Sequence, residues 1–133
     1  MIMKDLKLKV CGLTDLAQIQ KLIQLKVDYL GFIFYENSPR FVLNHLTLED
    51  ISKIDHPSKV GVFVNESVEK VCETVKKSKL NLLQLHGDEN AEFIKDLREK
   101  IDDESIKIIK VIRIPVIISD KELLKIKVNI YSK

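Results

Sequence analysis

Three side chains suited to chemistry each lie shortly after a short apolar run of the sequence: Cys11, Arg40 and His86. A cysteine thiol works as a base or nucleophile when nearby positive charge or free backbone amides favour its thiolate. A guanidinium binds carboxylates and phosphates through paired hydrogen bonds. A packing cysteine and a surface arginine are the alternatives, and position alone does not decide between them.

The residue types before Cys11 predict which way its side chain points. Successive side chains of a strand alternate between faces, so Cys11 shares one face with Lys9, and the other face is wholly apolar. We expect the apolar face, formed by Leu6, Leu8 and Val10, to meet helices, and Cys11 to point to the inside of the sheet. The Lys9 ammonium and the amides that follow Cys11 would then favour a thiolate.

Short apolar runs alternate along the chain with segments of helical periodicity, which predicts repeated βα units. The runs are residues 6–10, 29–34, 59–64, 82–85 and 108–112. Because they lack strict polar alternation, we expect strands buried on both faces, and therefore a parallel sheet. Helix starts are marked by Thr14 or Asp15, Thr47, Ser67, Asn90 and Ser119. Thr47 with Asp50, and Ser119 with Glu122, fit the spacing of a capping box.

Two α/β architectures fit a βα unit repeated five times. One is a complete doubly wound sheet of flavodoxin-like type, and the other is the first five units of an eightfold barrel. The chain has 133 residues, which predicts a single domain over 1–133 and, by length alone, favours the doubly wound sheet. In both architectures ligands bind beyond the carboxyl ends of the strands, where Cys11, Arg40, Asn65, His86 and Arg113 fall.

Composition excludes several classes of function. The net charge is +2 with no block of like charges, which argues against nucleic-acid binding. No long apolar run or signal peptide is present, so we expect a cytoplasmic protein without membrane contact. Cysteines and histidines are scattered, glycines form no phosphate loop, and neither a metal nor a cofactor is expected. Cys72 has the spacing of a packing residue, and His45 and His56 are interpreted as solvated.

Four motifs, in order, resemble those of phosphoribosylanthranilate isomerase. They are residues 9–14 (KVCGLT), 31–35 (GFIFY) with 38–40 (SPR), 60–65 (VGVFVN) and 84–88 (QLHGD). The resemblance implies the parallel units of a TIM (βα)8 barrel, here a partial barrel truncated to about five units. It also implies a cofactor-free Amadori rearrangement in tryptophan biosynthesis, which converts the phosphorylated aminoaldose N-(5-phosphoribosyl)anthranilate to 1-(2-carboxyphenylamino)-1-deoxyribulose 5-phosphate.

The resemblance assigns roles to the three residues named first. Cys11 would be the general base that removes the sugar C2 proton after ring opening, Arg40 would bind the anthranilate carboxylate, and His86 would line the same pocket. The family's general acid is an aspartate on the sixth strand, and its phosphate loops follow the seventh and eighth strands. The sequence ends at Lys133, before such strands, and Asp120 has the setting of a structural residue in the first turn of a helix.

We therefore expect this chain to contain the general base but not the general acid, and to have negligible activity by itself. We also expect it to self-associate through exposed sheet edges. The alternative is a noncatalytic α/β module that binds a small anionic ligand or a partner supplying the missing strands.

Overall fold

The computed structural model describes the backbone of residues 5–119 and 122–132, and the side chains of residues 5–113. Five parallel strands lie side by side in chain order: β1 (Lys9–Val10), β2 (Tyr29–Ile33), β3 (Lys59–Phe63), β4 (Leu82–Leu85) and β5 (Lys107–Ser119). Helices connect successive strands: α1 (Leu16–Gln24), α2 (Leu48–Ser52), α3 (Val68–Ser78) and α4 (Ala91–Ile101). A short 3-10 helix, Val42–Asn44, precedes α2.

The strand order decides between the two predicted architectures. A doubly wound sheet reverses its strand order at a switch point, whereas a barrel adds each new strand on the same side. The order β1-β2-β3-β4-β5 contains no reversal. The half-barrel is therefore confirmed, and the doubly wound sheet favoured by length alone is wrong.

A sixth strand, β6 (Glu122–Ser132), pairs antiparallel with β5. The helix predicted to start at Ser119 is wrong, because the segment after it is a strand. From residue 124 to 130 apolar and polar types alternate strictly, which is the period of a strand and outweighs the local capping spacing. Asp120, interpreted as a residue of that helix, lies outside the described residues.

Side-chain caps fix the starts of the helices. The Asp15 carboxylate accepts hydrogen bonds from the first amides of α1, and Asn90 does the same for Phe93 in α4. Thr47 and Asp50 form the predicted capping box, with distances of 3.0 and 2.9 Å. Each cap satisfies amides that have no partner inside the helix, so these local signals set where each crossover begins.

Two apolar clusters cover opposite faces of the sheet. The larger one contains residues of both strands and helices, including Cys72, which is buried as predicted. The smaller one consists of Val60, Leu82 and Ile109, with Tyr29 packed against it. All of these residues belong to strands, and the register pairs Val60 with Leu82, so the cluster lies on the face away from the helices, which is the inner face of a barrel.

Two expectations about individual side chains are wrong. Leu6 and Leu8 are 69% and 58% exposed, because only Lys9–Val10 pairs with β2 and only Val10 packs against the larger cluster. His56 is half-buried rather than solvated, and its ring contacts the Val27 carbonyl oxygen and accepts from the Ser58 amide, both at 3.0 Å. His45 is exposed, as predicted.

In the part of the chain that the structure describes, no helix has the length and apolar character needed to cross a bilayer.

Candidate active site

Cys11 and Arg40 lie in direct contact at the carboxyl end of β1. The Arg40 Nη1 atom is 3.4 Å from the Cys11 carbonyl oxygen. Gly12 has φ +77°, and a Cβ built on it would lie 2.5 Å from the same Nη1 atom. Glycine at position 12 therefore allows this left-handed backbone conformation and leaves room for the guanidinium beside it. The predicted convergence of strand ends β1 and β2 brings these two residues together.

A second glycine makes room for the thiol. The register pairs Lys9 with Tyr29 and Val10 with Leu30, which sets Cys11 beside Gly31. A Cβ built on Gly31 would lie 3.0 Å from Cys11 Sγ, which is tighter than most real Cβ contacts. Cys11 is half-buried in this position, with its side chain on the inner face of the sheet.

His86 follows β4 at the same edge of the sheet. Its amide donates to the Phe63 carbonyl oxygen at 2.9 Å, and its own carbonyl oxygen accepts from Arg113 Nη2 at 3.1 Å. Gln84, two residues earlier on the same strand face, accepts a hydrogen bond from Lys9 Nζ. A side-chain contact thus joins β1 and β4 on the inner face of the sheet, two residues before Cys11 and two residues before His86.

A buried acidic group that no sequence pattern marks lies beside His86. Glu89 is 1% exposed at its side chain, and its carboxylate accepts from the amides of Gly87 and Asn65 and from Lys110 Nζ, each at 2.9 Å. Lys110 Nζ also donates to the Gly87 carbonyl oxygen at 2.6 Å. This Glu89–Lys110 pair holds the loops after β3 and β4 together and fixes the backbone next to His86.

The charge of Glu89 is stabilised by its surroundings. Burial by itself raises the pKa of this carboxyl, but the hydrogen bond from Lys110 and those from backbone amides outweigh it and hold the pKa below its usual value. The only sign of Glu89 in the sequence is an acid two residues after a glycine at a strand exit, which is also what a solvated loop contains.

Among the described residues, no group of three or more His, Cys, Asp or Glu side chains could hold a metal.

The chain is similar in sequence to known proteins over a region that contains these residues. Residues 8–127 match the family model described as N-(5'phosphoribosyl)anthranilate (PRA) isomerase. The chain belongs to this isomerase family. The matched region includes Cys11, Arg40 and His86 and every parallel strand of the half-barrel.

Relatives and solved structures of the family show how much of it the chain covers. N-(5'-phosphoribosyl)anthranilate isomerase of Caldanaerobacter subterraneus subsp. tengcongensis is 45% identical over 93 residues, which are 69% of this chain and 45% of that protein. The Trichodesmium erythraeum isomerase is 38% identical over 110 residues, covering 82% and 47%. The chain therefore spans about half the length of the curated relatives it matches.

A crystal structure of the family isomerase in complex with reduced 1-(o-carboxyphenylamino)-1-deoxyribulose 5-phosphate is similar to this chain with a TM-score of 0.65. The sequence identity is 34%, over 78% of this chain and 52% of the other. The described fold thus corresponds to about half of a barrel that binds a phosphorylated aminoketose analogue.

Proposed function

We propose that this chain forms the amino-terminal half of an isomerase site that converts N-(5-phosphoribosyl)anthranilate to the corresponding aminoketose phosphate in tryptophan biosynthesis, in the cytoplasm. The observation that supports this most is the contact between Cys11 and Arg40 within a region matched by the family model. The related structure that contains the reduced product analogue supports a small phosphorylated substrate.

In this proposal Cys11 is the general base. Ring opening gives a C1=N Schiff base, which acidifies the proton on C2 of the sugar. The Cys11 thiolate takes that proton, the C2–H electron pair forms the C1=C2 bond of an enaminol, and the C1=N π pair moves onto the protonated Schiff-base nitrogen. Loss of the C2 hydroxyl proton and protonation of C1 then give the ketone at C2. General base catalysis of this kind contributes on the order of a hundredfold to ten-thousandfold.

Arg40 and His86 bind rather than transfer protons in this proposal. The Arg40 guanidinium, which is exposed beside the Cys11 backbone, pairs with the anthranilate carboxylate through two N–H donors. His86 lines the pocket from the end of β4, with its backbone fixed by Phe63 and Arg113. Binding of the anthranilate end would thus position the sugar over the thiol.

We propose that full activity uses, besides the residues described here, the sixth-strand aspartate and the later phosphate loops that the family resemblance implies, and that the residues described here have negligible activity without them. The exposed edge at β1, with Leu6 and Leu8, is also where we propose that copies of the chain associate when those parts of the barrel are absent.

Calorimetric titration with reduced 1-(o-carboxyphenylamino)-1-deoxyribulose 5-phosphate tests the proposal on the chain as it exists. We expect saturable binding that falls about tenfold or more in Arg40→Ala, because a charged hydrogen bond is lost. Lys53→Ala is the control, since Lys53 lies in the exposed turn after α2 and pairs with Glu49 on the surface. Binding of equal strength to wild type and Arg40→Ala, or none to the folded chain, would reject the proposal.

A further inference from the structure

Lys9 and Gln84 form a side-chain pair across the inner face of the sheet, below the rim that contains Cys11. Lys9 Nζ donates to Gln84 Oε1, although β1 and β4 are separated by two other strands. Gln84 is buried and Lys9 is half-buried. A lysine side chain has many rotamers, and the hydrogen bond to the Gln84 amide oxygen selects one in which the ammonium reaches into the interior.

This anchored ammonium lies on the same face as the thiol. Lys9 and Cys11 are two residues apart in extended backbone, and the β1–β2 register sets both on the inner face, opposite Tyr29 and Gly31. Gln84 is a neutral anchor, so the positive charge of Lys9 is not cancelled by the contact. Arg40 contacts the same segment from the exposed side, where its guanidinium touches the Cys11 carbonyl oxygen.

We infer that Lys9, anchored by Gln84, is a positioning residue that places a positive charge beneath Cys11 and thereby favours the thiolate that the proposed reaction uses. This inference rests on the proposed function only in assigning that thiolate its use as a base. Burial lowers the pKa of Lys9, and the negative charge of a Cys11 thiolate would oppose this shift.

Alkylation of Cys11 at neutral pH tests the inference, with peptide mass mapping to separate Cys11 from buried Cys72. In Lys9→Met we expect the rate with iodoacetamide to fall by on the order of threefold to tenfold, the effect of one partly screened charge. Lys9→Arg should retain most of the rate. Lys7→Met is the matched control, because Lys7 precedes Lys9 by two residues but is exposed and faces Asp28 at 4.0 Å.

The ratio of rates with anionic iodoacetate and neutral iodoacetamide separates charge from packing. A nearby cation attracts the anionic reagent, so the ratio should fall in Lys9→Met, whereas a change in accessibility alone slows both reagents alike. Gln84→Glu keeps the shape of the anchor and neutralises the ammonium, and we expect it to lower both the rate and the ratio. This variant decides the question if Lys9→Met does not fold.

The inference is overturned if folded Lys9→Met, or Gln84→Glu in its place, alkylates at the wild-type rate with an unchanged reagent ratio. Alkylation needs no substrate, so it tests the role of Lys9 independently of the proposed isomerase function. Unchanged alkylation with intact analogue binding rejects the role of Lys9 alone. Altered alkylation without any analogue binding rejects the proposed function and leaves the role of Lys9 in place.

Discussion

Replacing Glu89 by glutamine should destabilise the fold far more than its loop position suggests. The carboxylate accepts three hydrogen bonds at 2.9 Å, one of them from the Lys110 ammonium, and its side chain is 1% exposed. Breaking a buried ion pair costs about 3–5 kcal/mol. Lys110 is 17% exposed and keeps the Gly87 carbonyl, so we expect the lower end, about 3 kcal/mol at neutral pH.

Urea unfolding followed by circular dichroism measures this loss. The folded pKa of Glu89 lies below its usual 4.5, so its contribution is complete above that pH and is lost as the pH falls through the folded value. The difference between wild type and Glu89→Gln should shrink accordingly in acid. Glu92→Gln, on an exposed residue in the first turn of α4, is the control and should change stability by less than about 0.5 kcal/mol. A Glu89→Gln chain as stable as the control, or a loss that persists unchanged in acid, would refute the reasoning.

Three further predictions concern other parts of the chain. Lys59 is 3% exposed, and burial lowers its pKa. The unfolded chain therefore binds more protons between the folded pKa and 10.5, so wild-type stability should rise with pH in that range. Urea unfolding of Lys59→Met should show no such rise, and the same rise in this variant would refute the prediction. Gly12→Ala should displace Arg40 and weaken analogue binding about tenfold by calorimetry, whereas unaltered affinity would mean that the guanidinium can move freely. Leu8→Lys should shift the chain to smaller species in analytical ultracentrifugation, because it adds charge to the exposed edge at β1; association that is indifferent to this change would exclude that edge.

Local signals predicted most of the half-barrel. The apolar runs at β2, β3 and β4 coincide with the strands to within one residue, and the caps at Thr47 and Asn90 are formed as expected. Both depend on residues near one another in sequence. The helix that the capping spacing at Ser119 predicts is wrong, because the two-residue alternation that follows is the stronger signal and predicts the observed strand.

Contacts between distant segments were the part that sequence could not supply. The position of His56 away from the strand exits predicts a solvated ring, but its contact with the Val27 carbonyl comes from 29 residues away in the sequence. The burial of Glu89 likewise depends on partners that are distant in sequence, in the loop after β3 and in β5. The convergence of Cys11 and Arg40 was predictable, since parallel strands deliver their carboxyl ends to one edge.

Reconstitution of the barrel tests the central claim most directly. The chain would be co-expressed with the part of the Caldanaerobacter isomerase that it does not cover, and conversion of N-(5-phosphoribosyl)anthranilate by the purified complex would be followed by chromatography. We predict conversion with the wild-type chain and with Cys72→Ser, and loss of at least about a hundredfold with Cys11→Ser. An assembled complex that is inactive with the wild-type chain, or that is equally active with Cys11→Ser, would contradict the account.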